Sequence, residues 1–189
     1  MNTLIQQGKI LYWGTSEWSG VEIMEAYRVA ADYKIIGPSV EQPQYNLFER
    51  EKMEKEYLQL FSNQGMGTTI WSPMAAGFLS GKYNEGIPKG SRLGMKGFEW
   101  LTDKWIQKDK IDKAKKLGKL ANELNVSLPQ LSIAWTLLNP HVSSTILGAT
   151  QKSQLVENFK ALDLVSSLTP EVIQRIEKIM QNKPIQPPF

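Results

Sequence analysis

The sequence contains no cysteine among its 189 residues. Disulfide bridges, thiolate catalysis and cysteine-bound zinc are therefore excluded, and no other metal site is predicted. The sequence also lacks any apolar run close to the roughly 18 residues that a transmembrane helix needs. Residues 1–9 show no signal-peptide pattern. We therefore expect an intracellular, cytoplasmic protein without membrane insertion.

The sequence has little net charge as well, at +3. This value is too small to predict nucleic-acid binding. A content of 41% hydrophobic and 22% charged residues is typical of a globular protein. The length suffices for one domain over residues 1–189, but it falls short of the roughly 250 residues of a complete (β/α)8 barrel.

Short apolar segments alternate with amphipathic ones along the chain. Strands are predicted at 10–14, 35–41, 68–71 and 145–148. Helices are predicted to begin after the cap residues Ser19, Ser127 and Thr169, at about 48 and 109, and near 153, and a long loop is predicted at 72–100. This fourfold strand–helix alternation favours parallel strands.

Polar segments follow each predicted strand, at 13–19, 41–46, 71–83 and 148–158. The carboxyl ends of parallel strands are where ligands bind in such folds. Trp71 offers a flat stacking face, and the Gly- and Ser-rich stretch after it lets backbone amides approach a pyrophosphate closely. Lys82 and Arg92 carry charges suited to phosphate. Taken singly, each segment also fits an ordinary turn or helix cap.

Together, the order and spacing of these segments resemble the aldo-keto reductase superfamily, in the branch that contains the voltage-gated potassium channel β subunits and their bacterial relatives. The matching motifs are YWGTS at 12–16, EQ at 41–42, WSPMAAGFLSGKY at 71–83, SR at 91–92 and LGATQKSQLVEN at 147–158. The resemblance extends over about residues 4–184. It implies an α/β fold that is a partial TIM (β/α)8 barrel, matching strands five to eight with their helices.

The resemblance also implies an NADP site. Trp71 would stack on the nicotinamide, and Ser16 and Gln42 would bind its carboxamide. The pyrophosphate would be held by Ser72, Met74, Ala75, Gly77 and Ser80, the 2′-phosphate by Lys82 and Arg92, and the adenosine end by Thr150, Gln154, Glu157 and Asn158. One position departs from the family pattern: Glu17 stands where channel β subunits carry Arg and many other members carry Asn. Glu17 is therefore not included in the predicted site.

Family members protonate the product oxygen with a Tyr assisted by Lys and Asp, and these groups belong to the first four strands. No residue of this chain matches them, so no catalytic residue is assigned. The resemblance thus implies the NADP(H)-binding, C-terminal half of an oxidoreductase that reduces aldehydes or ketones by hydride transfer. We expect it to be inactive alone, and its substrate would be a small carbonyl compound if the barrel is completed.

Several alternatives remain at this point. The open half-barrel could be completed by a second copy or by an N-terminal half from another chain, or the chain could be an incomplete, truncated product. The protein could instead be a non-catalytic, NADP-binding regulatory subunit like those of potassium channels, although no separate feature of the sequence indicates a channel contact. A module without a ligand is the third functional class.

Overall fold

The fold is built on a four-stranded parallel sheet. The computed structural model describes residues 1–186, and its strands are β1 (Gly14–Ser16), β2 (Val40–Gln42), β3 (Gly67–Ile70) and β4 (Val142–Thr145). They lie in the order β1-β2-β3-β4, and each neighbouring pair is parallel. Consecutive strands connected by helices are the arrangement of a partial (β/α)8 barrel. The α/β fold class expected from the sequence is confirmed.

Helices cover one face of this sheet. They are α1 (Asn2–Gln6), α2 (Gly20–Asp32), α3 (Leu58–Gln64), α4 (Glu99–Trp105), α5 (Lys108–Glu123), α6 (Leu128–Leu137), α7 (Lys152–Phe159), α8 (Ala161–Leu164) and α9 (Pro170–Met180). A π-helical turn (Lys52–Glu56) precedes α3. No helix within residues 1–186 combines the length and the apolar character needed to cross a bilayer.

The helix boundaries follow local capping chemistry. Ser19 accepts a hydrogen bond from the amide of Glu22 in a capping box, as predicted, and Ser127 begins α6 in the same way. Thr169 caps α9. Gly65 ends α3 in the left-handed conformation that glycine adopts at low cost. Local signals therefore decide where these helices begin and end.

The strand bounds differ from the predicted ones. The predicted strand at 10–14 was placed too early, because β1 begins at Gly14 and Leu11 is 79% exposed. The predicted strand at 35–41 is also shorter and later, since Pro38 makes its first half irregular. The fourth strand was predicted about three residues too late. Apolar runs give only the approximate place of these strands, and hydrogen-bond register decides which residues pair.

The segment from Ser72 to Phe98 packs against the core in its first part, whereas residues 85–90 are exposed. It contains two 3-10 turns (Ala75–Ser80 and Arg92–Gly94). Phe78 and Tyr83 are fully buried, and the Phe78 ring stacks on Trp105 with centroids 5.8 Å apart. These aromatic contacts hold the segment against the core. The predicted irregular tail at 183–189 shows no regular structure at 183–186, and 187–189 lie outside the described residues.

Candidate functional site

The two faces of the sheet have different surroundings. Thr15, Glu41 and Thr68 lie beside one another in register and are buried beneath the helices. Their neighbours along each strand, including Ser16 and Gln42, point to the opposite, more exposed face. The Glu-Gln motif is thus divided between the faces. Burial raises the pKa of Glu41, whose carboxyl group accepts a hydrogen bond from Thr15.

Three predicted site residues meet at the carboxyl ends of β1 to β3 on the exposed face. Ser16 pairs with Gln42 in register, and its hydroxyl donates to the Gln42 carbonyl at 3.0 Å. Trp71 follows β3 and pairs with Gln44 in an isolated bridge. The backbone therefore brings together two hydrogen-bonding side chains and one flat aromatic ring, as expected from the motif order.

Glu17 joins this group, although it was left out of the predicted site. Its Oε1 accepts hydrogen bonds from Trp71 Nε1 at 2.9 Å and from the Gln44 amide at 2.5 Å. Its Oε2 forms an ion pair with Lys52 Nζ at 2.8 Å. Glu17, which departs from the family pattern, thus points toward Trp71, and its charge is neutralised by Lys52.

The segment after Trp71 has an unusual backbone. Ser72, Ala75, Ala76 and Gly77 all have φ between 50° and 88°. Left-handed conformations are uncommon for residues other than glycine, and they cluster at functional sites, where the surrounding structure maintains them. Successive residues of this kind curl the chain into a concave turn, the type of backbone that surrounds anions in many sites.

Several amides of this turn are already used within it. The Ala75 amide donates to the Ser72 carbonyl, the Ala76 amide to Ser72 Oγ at 2.7 Å, and the Gly77 amide to the Met74 carbonyl. Ser72 Oγ acts as an acceptor there, so its proton remains available to a ligand. Ser80 Oγ instead donates to the Gly77 carbonyl at 2.7 Å. Of the two hydroxyls, Ser72 is therefore the better placed to donate to a phosphate.

The two predicted phosphate-binding cations are exposed and lie on the same segment after β3. A Cβ built on Gly77 would be 3.8 Å from Lys82 Nζ, which places this ammonium beside the concave turn. Arg92 lies over the Phe98 ring at 5.6 Å. The Ser91 hydroxyl next to it is buried and has no hydrogen-bond partner within residues 1–186. This orphaned group is the kind that a ligand satisfies.

The remaining predicted residues lie at α7, after β4. The Thr150 amide donates to Gln154 Oε1 at 3.0 Å, so this side chain closes the turn before the helix. Asn158 is buried. Glu157 accepts a hydrogen bond from Gln130 at 2.6 Å and pairs with Lys160 at 2.8 Å. Both the α7 segment and the turn at 75–80 pack on α6, which relates the two parts of the predicted site.

The predicted site omitted three supporting side chains, of which Glu17 was considered and left out. These are Glu17, Asn46, which donates to the Ser72 carbonyl at 3.0 Å, and Gln130, which holds Glu157. Glu17 and Asn46 sit inside the very segments that were singled out at strand ends. Gln130 gave no such signal, because it belongs to a helix 27 residues from its partner.

A separate cavity of about 1020 Å³ lies along α2 and is also lined by Met1, Asn2 and Trp18. Its lining is mainly apolar and includes Met24, Val29 and Ile36. It contains none of the predicted cofactor-binding residues, so the candidate site is defined by the strand ends and not by this cavity.

Comparison with known proteins identifies the family of the chain. The chain belongs to the aldo/keto reductase family, whose model matches residues 1–181. It is 50% identical over 185 residues to a probable voltage-gated potassium channel subunit beta from Oryza sativa subsp. japonica, covering 97% of this chain and 56% of the relative.

Two further relatives carry similar names. The probable voltage-gated potassium channel subunit beta of Arabidopsis thaliana is 48% identical over 188 residues, covering 99% of this chain and 57% of its own length. The putative voltage-gated potassium channel subunit beta of Schizosaccharomyces pombe (strain 972 / ATCC 24843) is 45% identical over 186 residues. This match covers 97% of this chain and 54% of the relative. The chain thus spans just over half the length of these relatives.

Proposed function

We propose that this chain is the NADP(H)-binding portion of an aldo-keto reductase that reduces aldehydes or ketones. The observation that carries the proposal is the meeting of Ser16, Gln42 and Trp71 on one face of the sheet at the ends of three adjacent strands. Bound NADPH would supply the hydride. The chain's own groups would hold and orient the nicotinamide, with the indole of Trp71 as a flat support.

The donor set fits such a cofactor. The Ser16 hydroxyl donates its proton to the Gln42 carbonyl and can therefore accept from a carboxamide N–H, while the Gln42 side chain can donate to or accept from a carboxamide. Lys82, Arg92 and the Ser72 proton supply charge and hydrogen bonds for phosphate oxygens. The buried, unpartnered Ser91 hydroxyl beside Arg92 would gain a partner. Groups for carboxamide recognition, ring stacking and anion binding therefore follow one another along the strand ends. The carboxamide, the nicotinamide ring and the phosphates follow one another in the same order along the cofactor.

We further propose that the chain alone does not reduce carbonyl compounds. Hydride addition leaves negative charge on oxygen, and a general acid must supply a proton. Tyr45 Oη donates to Glu54 at 2.8 Å and Tyr57 Oη to the Trp18 carbonyl. Burial raises the pKa of both tyrosines, which opposes proton release. Neither group is therefore suited to the task.

Titration of the chain with NADPH tests the proposal. We expect saturable quenching of tryptophan fluorescence, because a nicotinamide stacked on Trp71 quenches the fluorescence of that indole. Trp71→Ala should abolish the quenching, whereas Trp100→Ala should not, since Trp100 is 60% exposed on α4. Equal quenching in wild type and Trp71→Ala would refute the stacking role, and no binding in the wild type would refute the function.

A mass measurement on the same sample addresses completion of the barrel. β1 and β4 each pair on one side only within residues 1–186, and unpaired edges invite further strands. A dimer mass would favour pairing of two copies. A monomer that gains carbonyl reductase activity when mixed with a family N-terminal half would favour complementation. Reduction by the monomer alone would contradict the proposed inactivity.

The names of the three relatives favour a second candidate, an NADP-binding regulatory subunit of a potassium channel. This candidate predicts that the immobilised chain captures the cytoplasmic domain of a voltage-gated potassium channel. Capture with an affinity that responds to NADPH would support it. Failure of capture at concentrations where NADPH saturates the chain would leave the reductase proposal alone.

A further inference from the structure

We propose that Glu17 is a positioning residue that holds the Trp71 ring in the orientation required for nicotinamide stacking. The inference rests on the proposed cofactor site and adds to it a residue that the family pattern does not supply at this position. Its basis is the contact between Glu17 Oε1 and Trp71 Nε1, at 2.9 Å.

The contact restricts the ring in a way that packing alone does not. Trp71 is only partly buried and stands at the end of its strand. An indole has a single N–H donor, so a fixed acceptor selects the orientation in which that donor is satisfied. A hydrogen bond to a carboxylate is roughly twice as strong as one between neutral groups. Glu17 is therefore well suited to set the plane of the ring.

The carboxylate is itself fixed by three other features. Oε1 also accepts the Gln44 amide, Oε2 pairs with Lys52, and Lys52 Nζ donates to the Glu17 carbonyl at 2.8 Å. Glu17 has φ of 60°, a conformation that costs a non-glycine residue energy and is kept only where contacts maintain it. Backbone and side chain thus hold the acceptor in one place at the N–H edge of the Trp71 ring.

The charge of Glu17 is compatible with an anionic cofactor nearby. Partial burial acts to raise the pKa of Glu17, but hydrogen bonds from Lys52, the Gln44 amide and Trp71 outweigh it and hold the pKa below its usual value. The group is therefore a carboxylate at neutral pH. Because Lys52 Nζ lies 2.8 Å away, the pair presents little net charge to a phosphate.

The test compares Glu17→Ala and Glu17→Gln with Glu51→Gln, an exposed acid of the same region that contacts Lys55. The first measurement needs no ligand: the indole N–H signal of Trp71 in a ¹H–¹⁵N spectrum, assigned with Trp71→Phe. Glu17→Ala should move this signal upfield through loss of the charged acceptor. Glu17→Gln should move it less, because an amide oxygen still accepts, and Glu51→Gln should leave it in place.

The second measurement is NADPH affinity. We expect Glu17→Ala to weaken binding about tenfold, the effect of losing one charge-assisted hydrogen bond, and Glu17→Gln to recover part of that loss. An unmoved indole signal in Glu17→Ala, or a moved signal with unchanged affinity, would overturn the inference. If the wild type binds no NADPH, the proposed function fails. The indole signal then still shows whether Glu17 accepts the Trp71 hydrogen bond. Glu17→Gln keeps the side chain's shape, so it decides the matter if Glu17→Ala does not fold.

Discussion

At the scale of single residues, the candidate site depends on which hydrogen-bonding atoms are already occupied. The Ser72 hydroxyl accepts from a backbone amide, so its own O–H can still donate to a ligand. The Ser80 hydroxyl already donates its proton to the Gly77 carbonyl. Glu157 is held on both oxygens by Gln130 and Lys160. Residues that belong to one motif therefore differ in what they can still offer a ligand.

Lys82 should distinguish NADPH from NADH. Its ammonium lies beside the turn at Gly77, and an added 2′-phosphate would give it a charged partner. We expect Lys82→Met to weaken NADPH binding about tenfold and to leave NADH binding nearly unchanged. Lys89→Met, an exposed lysine of the same segment, is the control. Equal losses for both cofactors would remove Lys82 from the 2′-phosphate site.

At the scale of the elements, strand β1 depends on a close approach of backbone to backbone. Gly14 lies opposite Val40, and a Cβ built on Gly14 would be 2.2 Å from the Val40 carbonyl oxygen. A backbone atom cannot move aside as a flexible side-chain end does, so only glycine fits here. The position of Ser16, two residues on, depends on this fit.

Gly14→Ala should therefore destabilise the protein, by about 1–3 kcal/mol. Gly118→Ala is the matched control with the opposite sign. Gly118 lies within α5, and a Cβ there would meet nothing within 4 Å, so we expect a gain of about 0.5–1 kcal/mol from helix propensity. Chemical denaturation measures both. A stable Gly14→Ala would show that β1 can move away from β2 without cost.

At the scale of the whole molecule, a buried ion cluster connects the middle of the chain to its last helix. The Arg50 side chain is only 3% exposed and pairs with Glu54 at 2.7 Å and with Glu177 of α9 at 2.8 Å. Its guanidinium also lies 5.0 Å from the centre of the Trp135 ring. Residues 127 positions apart are thus joined through one side chain.

Arg50→Met should lower the free energy of unfolding by about 3–5 kcal/mol, because two carboxylates would lose their common cation in a poorly hydrated place. Arg28→Met removes an exposed arginine that also contacts two acids, and we expect a much smaller loss, because exposed ion pairs contribute little to stability. Thermal unfolding followed by circular dichroism compares them. Similar losses in the two variants would mean that burial adds nothing to the Arg50 cluster.

The sequence by itself determined the α/β class, the four strands in order, the helix caps at Ser19, Ser127 and Thr169, and the motifs at the strand ends. These features are local or periodic, so one stretch of chain carries each of them. The NADP contacts drawn from family resemblance stay predictions, since no contact within the chain tests them.

Tertiary structure alone decided which residues pair and which side chains meet. The strands at 10–14 and 145–148 were displaced in the prediction, because inter-strand hydrogen bonds rather than apolar runs set their register. The contact of Glu17 with Trp71 joins residues 54 positions apart. No local pattern contains such a contact. It exists because parallel strands bring their carboxyl ends to the same edge of the sheet.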